Sequence, residues 1–308
     1  MRIHFFFTAL LVVFATHVAV AQERNWLGKA RLFNNDFIGD GQDRWRTGSY
    51  SVSGIRGSDW NGKLPDRLGA LMEYRLRTEI IAPANLQNPV LGGDRPYAGA
   101  ISLGATSYVD LGGTDMALGL DLVFTGPQTG LGSLQSWVHQ TFGLNPPQVL
   151  GSQVGNAIYP TVNVEFGRDV RLTPEGRMRV SLRPFVEAQA GVETYLRLGG
   201  DLTFGNAGLG DMQVRDPVTG YRNIAVKGHR TRGVSLLLGG DVAYVAASRY
   251  LPASRGYVLV KPRTRLRAGL YGEGAASSFF YGLTWLGREF AWQKQGQVLG
   301  SVTIRLNF

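Results

Sequence analysis

Between Val258 and Leu270 the cations Lys261, Arg263, Arg265 and Arg267 recur at every second position, opposite Val258, Val260, Thr264, Leu266, Ala268 and Leu270. Period two is the signature of an extended strand, whose side chains alternate between two faces. The charged face is the constraint. A dry sandwich core could not hold four unpaired cations, whereas the polar interior of a membrane barrel holds charges readily when carboxylates on other strands face them. Asp121, Glu165 and Glu187 are the partners expected here. A solvated face of a soluble sheet is the competing reading.

The same alternation recurs along most of the chain. Met116, Leu118, Leu120, Leu122 and Phe124 share one face, with Gly119, Asp121 and Thr125 on the other. Val298 to Phe308 alternates likewise and closes on an aromatic residue. Candidate strands fall at 28–37, 47–57, 68–81, 97–109, 114–126, 156–171, 177–192, 193–205, 232–247, 257–271, 276–290 and 296–308. The fold class expected is therefore all-β: a transmembrane antiparallel β-barrel of about twelve strands, with a short helix in an extracellular loop. An even count places both ends on the periplasmic side. The stretch 206–231 is Gly-rich and longer than a periplasmic turn should be, so the count is weakest there.

Residues 1–21 have the form of a secretory signal peptide, with Arg2, an apolar run from Phe5 to Val20 and the small-x-small end Ala19-Val20-Ala21. Residues 22–308 would form the outer-membrane barrel. No later stretch approaches the length of an apolar membrane helix. The chain has no cysteine, so no disulfide framework holds it. Removing Arg2 with the leader takes the formal charge from +9 to +8. A basic balance points to an anionic partner, nucleic acid or a phosphate-bearing membrane surface. Export selects the membrane, with no nucleic acid involved, and nothing in the sequence argues against a monomer.

From Thr125 to Gly143 the period changes. Leu131, Leu134, Val138 and Phe142 recur at spacings of three and four, and Gly143 stops the pattern, which reads as a short helix. Gln135 and His139 share one of its faces. His139 is one of two histidines beyond the leader; His229, in the basic stretch 227–230, reads as a loop residue. Strand parity brings this helix, the loop from Asn35 to Arg46 and the loop from Ala82 to Pro96 to one rim, so that the helix lies against Asn35, Asp36 and Thr47.

The first loop supplies Asp36, Asp40 and Asp43 with amides beside them, hard oxygen donors suited to calcium or magnesium. Acidic residues also suit turns. In a regular strand Asn35 and Asp36 point to opposite faces, so joint action requires a bulge or a strand end. In the second loop Asp94-Arg95 reads either as a turn with a local ion pair or as an arginine meeting a lipid phosphate. There is no cysteine nucleophile and no Gly-x-Ser-x-Gly elbow. The remaining toolkit is a histidine general base acting on water beside a hard cation, suited to ester hydrolysis at a membrane surface.

Several ordered pieces carry a resemblance: Asn35-Asp36-Phe37, Asp43-Arg44 leading to Thr47, Gly93-Asp94-Arg95-Pro96-Tyr97-Ala98-Gly99, Thr125-Gly126-Pro127, Gln135 with His139, and Glu289-Phe290. The sequence resembles the LpxR-like outer-membrane lipid A 3'-O-deacylases across almost the whole exported chain. It departs from the family at Ser136 and at Arg46, Gly48 and Ser49 around Thr47. The resemblance implies a twelve-stranded barrel in the bacterial outer membrane and calcium-dependent removal of the 3'-linked acyloxyacyl chain of lipid A in lipopolysaccharide. It implies His139 as the base, Asp36 as metal ligand serving with Asn35 the cation and oxyanion region, and Thr47 as a positioning group. Gln135 and Arg95 would contact substrate. A noncatalytic channel or adhesin, or another lipid hydrolase such as a phospholipase, are the alternatives.

Overall fold

The computed structural model describes residues 24–88, 94–228 and 232–306. The leader, His229 and the terminal Phe308 lie outside them. Twelve of the described strands close into a cylinder: β1 (Asn25–Asn35), β2 (Trp45–Gly57), β3 (Leu71–Ala82), β4 (Ala98–Asp110), β5 (Asp115–Thr125), β6 (Ala157–Gly167), β7 (Val180–Ala190), β8 (Glu193–Phe204), β9 (Gly233–Ser248), β10 (Pro262–Glu273), β11 (Ser277–Leu286) and β12 (Gln297–Leu306). Each pairs antiparallel with the next, and β12 returns to β1. That seam is short, with Phe33, Asn34 and Asn35 opposite Val302, Ser301 and Gly300. Below it, side chains replace the ladder: Thr303 Oγ1 donates to the Arg31 carbonyl at 2.6 Å and Arg305 Nη2 to the Lys29 carbonyl at 2.8 Å.

Alternation sorts the wall as the sequence predicts. On β10 Arg263, Arg265 and Arg267 are buried inward, while Leu266 and Leu270 are exposed on the outer face. No helix among the described residues is long and apolar enough to cross a membrane; the strands present the apolar belt instead.

The arginine partners differ from those expected. Arg265 bonds Asp241 at 2.9 Å, Arg267 bonds Asp241 and Asp201, and Arg263 bonds Glu193 at 2.7 Å. Asp241 is directly opposite Arg265 on the neighbouring strand, and short reach favours such cross-strand pairs. Asp121, Glu165 and Glu187 serve Ser102 and Asn163, Arg183 and Arg215, and Arg197 in turn. Lys261 precedes the strand, is exposed, and lies over the Tyr244 ring.

The long stretch after β8 is not a loose turn. It folds up into the lumen as a hairpin, Met212–Arg215 against Arg222–Val226. The tip is Asp216-Pro217-Val218-Thr219-Gly220, with Gly220 in the left-handed region at φ 80°. Asp216 Oδ1 accepts from the Thr219 N–H and hydroxyl, both at 2.8 Å, as an aspartate opening a turn does. Arg215 ties the hairpin to Glu165 and Asp201 on one side, at 2.6 and 2.9 Å. On the other, Arg265 donates to the Pro217 and Val218 carbonyls. A cavity of about 560 Å³, lined in part by Arg75, Asp121, Asn163 and Arg183, remains between hairpin and wall.

Candidate functional site

The site is built where β1 ends. Asp36 leaves the sheet but keeps one rung, donating its N–H to the Thr47 carbonyl at 3.0 Å. Its own carbonyl accepts from Gly39 and Gly41, curling the loop back onto β12, where the Val298 N–H donates to Asp40 Oδ2 at 3.1 Å. Gly39 sits so close to the Val298 carbonyl that a Cβ would collide with it. On β2 the register against β3 shifts between Arg46 and Gly48. This bulge turns Arg46 into the lumen and leaves Thr47 on the outer face, with Asn35 and Gly48. The strand end and bulge required for joint action of Asn35 and Asp36 are both present. Trp45, with φ 53°, takes the strain of the turn. Its indole N–H bonds Asp94 at 3.1 Å and its ring packs with Leu251 and Phe290.

Helix α1 (Leu131–Thr141) covers this point from outside the barrel. Ser102 on β4 reaches Asp121 in the lumen, so Gly99 and Leu103 face outward by alternation. A Cβ on Gly99 would lie 3.1 Å from Leu131. The segment after the helix is tied to both ends of the connection between β3 and β4 by Gln148 N–H to Leu86 O and Val154 N–H to Tyr97 O, each 2.8 Å. The face turned to the wall carries Leu131, Gly132, Gln135 and His139. Past Leu131 the apolar stripe points away: Leu134 is 48% and Phe142 76% exposed, with Trp137 and Leu144 beside them. This is the reverse of a helix on a soluble protein, where the apolar stripe faces the core, and it suits a helix whose outer surroundings are lipid.

Between helix and wall the polar groups meet on Asp43. Its Oδ2 lies 2.9 Å from His139 Nε2, and its Oδ1 accepts from Thr47 Oγ1 at 2.6 Å and Gln135 Nε2 at 3.2 Å. Thr47 Oγ1 also lies 2.9 Å from Asp36 Oδ1, and Asp36 Oδ2 accepts the Arg44 N–H at 2.7 Å. His139 Nδ1 is 2.8 Å from the Asn145 carbonyl. A carbonyl only accepts, so that contact calls for the tautomer with the proton on Nδ1, and Nε2 faces Asp43 Oδ2. Burial pushes the Asp36 carboxyl up to about 7; the Arg44 N–H and Thr47 hydroxyl pull it down, and the Asp43 and Asp40 carboxylates push it further up.

Four expected residues, Asp36, Thr47, Gln135 and His139, are thus one bonded cluster. Asn35 sits at its edge, its Oδ1 taken by the Phe37 N–H at 2.8 Å and its amide nitrogen beside Gly48. Arg95 is apart. It is 3% exposed and its guanidinium turns under the rim to Glu289, so it has no surface from which to meet a lipid phosphate. Asp94 holds the Arg95 N–H at 2.9 Å, and there is no local ion pair. The residue that sequence reasoning left without a role is Asp43, read as one of three acidic loop residues and as part of the Asp43-Arg44 piece that carries the resemblance. Its place four before Thr47 was the available signal. The Asn145 carbonyl, a backbone group, gave none.

Among the described residues no group of three or more His, Cys, Asp or Glu side chains is arranged to hold a metal ion. The oxygens present are nonetheless hard donors. Two carboxylates, Asp36 and Asp43, converge on the Thr47 hydroxyl, and the buried Gln135 Oε1 beside them has no hydrogen-bond partner. Such a set fits calcium in kind, with hydroxyl and carbonyl oxygens completing the carboxylates.

A family model described as outer membrane protein LpxR matches residues 5–308. The chain belongs to the LpxR family. Its place is accordingly the bacterial outer membrane. Among solved structures it is similar to LpxR from Salmonella typhimurium, at 17% identity and a TM-score of 0.74, covering 91% of this chain and 100% of that one. At that identity the likeness establishes the LpxR fold. The β-domain of the Bordetella autotransporter BrkA also aligns, at 10% identity, TM-score 0.43 and coverage of 92% and 100%. No curated protein sequence matches the chain.

Proposed function

We propose that this LpxR-family barrel is an esterase that removes the 3'-linked acyloxyacyl chain from lipid A, with His139 as general base and calcium as the cation. The observation that carries the reading is His139 itself: oriented through Nδ1 by a backbone carbonyl, paired through Nε2 with a carboxylate, and carried against the outer wall by a helix whose free face is apolar. Phosphate-bearing, acylated lipid is the substrate class such a surface meets.

The Asn145 carbonyl fixes the ring and keeps the proton on Nδ1. Nε2 takes a proton from water, whose oxygen forms the new bond to the ester carbonyl carbon. Asp43, held by Thr47 and Gln135, stabilises the imidazolium that results. That imidazolium then returns the proton to the departing sugar oxygen as the old C–O bond breaks. Asp36, Asp43, the Thr47 hydroxyl and Gln135 Oε1 are the groups that would hold calcium, and a bound cation would stabilise the oxyanion. The Asn35 amide stands at the edge of the same pocket as a further oxyanion donor. The hairpin and its ion pairs cross the lumen beside the cavity described above, an arrangement that does not favour a channel.

The test is mass spectrometry of lipid A from cells expressing the chain or His139→Ala, with and without a calcium chelator. Loss of the acyloxyacyl mass is expected only for the unmodified chain with calcium present. Removing the base should lower the rate by about 100- to 10,000-fold. Unchanged lipid A in every sample, from barrels that are folded and inserted, would reject the reading.

A further inference from the structure

The lumen hairpin touches the far side of the wall that carries the candidate site. Asn34, fully buried, adjoins Asn35 and points inward. Its amide nitrogen donates to Ser49 Oγ at 2.9 Å and to Asp216 Oδ1 at 3.3 Å, and its Oδ1 accepts from Ser301 at 2.7 Å. One residue therefore joins β1 to β2, to β12 and to the hairpin tip. The tip makes a second contact nearby: Val218 packs on Leu286 and Leu299. Leu299 lies between Val298 and Gly300, against which the loop carrying Asp36 is docked from the other side. At this place a wall one strand thick is held between the loop outside and the hairpin tip inside.

We infer that the hairpin tip, through Asp216 and Val218, is a positioning element for the Asp36 pocket. Two observations exclude a role for it as filler alone. Asp216 uses one carboxylate oxygen for both the turn and Asn34, while the other has no hydrogen-bond partner among the described residues. The tip is also fixed in depth, by Arg265 on its carbonyls and by Arg215 at the base of the turn. A tip that only blocked the lumen would need neither this depth nor a polar contact to the residue preceding Asn35.

The inference concerns how the site of the proposed esterase is held, and its first readout does not depend on that activity. The chain contains no cysteine, so Gln42→Cys, on the exposed part of the loop, accepts a single nitroxide. Its electron paramagnetic resonance spectrum in proteoliposomes is compared in the otherwise unaltered chain and in Asp216→Ala, Asp216→Asn and Val218→Ala. An immobilised label is expected in the unaltered chain and in Asp216→Asn, which keeps the accepting oxygen. A new mobile component is expected in Asp216→Ala and Val218→Ala. Identical spectra in all four inserted barrels would overturn the inference, and Val218→Ala decides it should Asp216→Ala fail to insert.

The second readout uses the unlabelled chains and lipid A. Because a small misplacement of reacting groups is costly, Asp216→Ala should lower kcat by about tenfold with KM little changed and with the heat-modifiable band of the barrel retained. Asp216→Asn should restore it. Should the unaltered chain leave lipid A intact, the esterase reading fails while the spectra still decide the role of the tip.

Discussion

Arg46 and Thr47 are neighbours in sequence on opposite faces of one wall, and their surroundings differ in kind. Arg46 enters the lumen and is saturated: Nε meets Glu289 at 2.7 Å, Nη2 meets Glu193 at 3.0 Å and Nη1 meets Glu79 at 2.5 Å. Thr47 stands outside, between two carboxylates that repel each other and near a glutamine oxygen with no partner among the described residues. Arg46 gives its donors to three carboxylates, while around Thr47 a pair of carboxylates shares one hydroxyl and the Gln135 amide oxygen has no partner among the described residues.

Substitutions sharpen or break that contrast. The largest effect on stability is expected at Arg46. Arg46→Ala leaves three buried carboxylates without their shared cation, which should cost about 3–5 kcal/mol. Heat-modifiable mobility of the refolded barrel should show a clear fall in its unfolding temperature; an unchanged temperature would mean the network is decorative. Thr47→Val removes the hydroxyl that holds two carboxylates in place, and misplaced groups should lower activity by about 10- to 100-fold, with a smaller fall in unfolding temperature than Arg46→Ala shows. A Thr47→Val barrel that unfolds early yet hydrolyses normally would reverse the assignment of the two faces. The smallest effect is expected at Lys261, exposed above the start of β10. Lys261→Ala should change stability by under about 0.5 kcal/mol, whereas Arg265→Ala, within β10 and at a side chain buried and bonded to Asp241, should not be tolerated as lightly.

The barrel was legible because lipid on one side and a polar lumen on the other impose period two wherever the chain crosses. The strand boundaries read from that period fall within a few residues of those observed, except where β10 and β11 stop short of the rim: Val258 and Glu289 belong to loops there. The helix was legible for a related reason, but its orientation was not. The apolar stripe was evident, and nothing in sequence says whether such a stripe faces protein or membrane. Arg95 illustrates the same limit. An arginine in a rim loop reads alike whether it reaches out to a phosphate or in to Glu289. The 206–228 hairpin escaped because both of its faces are covered by lumen, which removes the contrast on which pattern reading depends. Asp-Pro-Val-Thr-Gly marked its turn, without saying on which side of the wall the turn would lie.

The seam between β1 and β12 bears on how the protein is made. Its three rungs end at Asn35 opposite Gly300, and the loop carrying Asp36 rests on the Val298–Gly300 segment of the last strand. Asp36 itself is held by Thr47 and Arg44, while its loop gains a second support from the last described strand through Asp40. Closing the cylinder therefore also clamps this loop, and a barrel open along the seam would hold it from the β2 side alone.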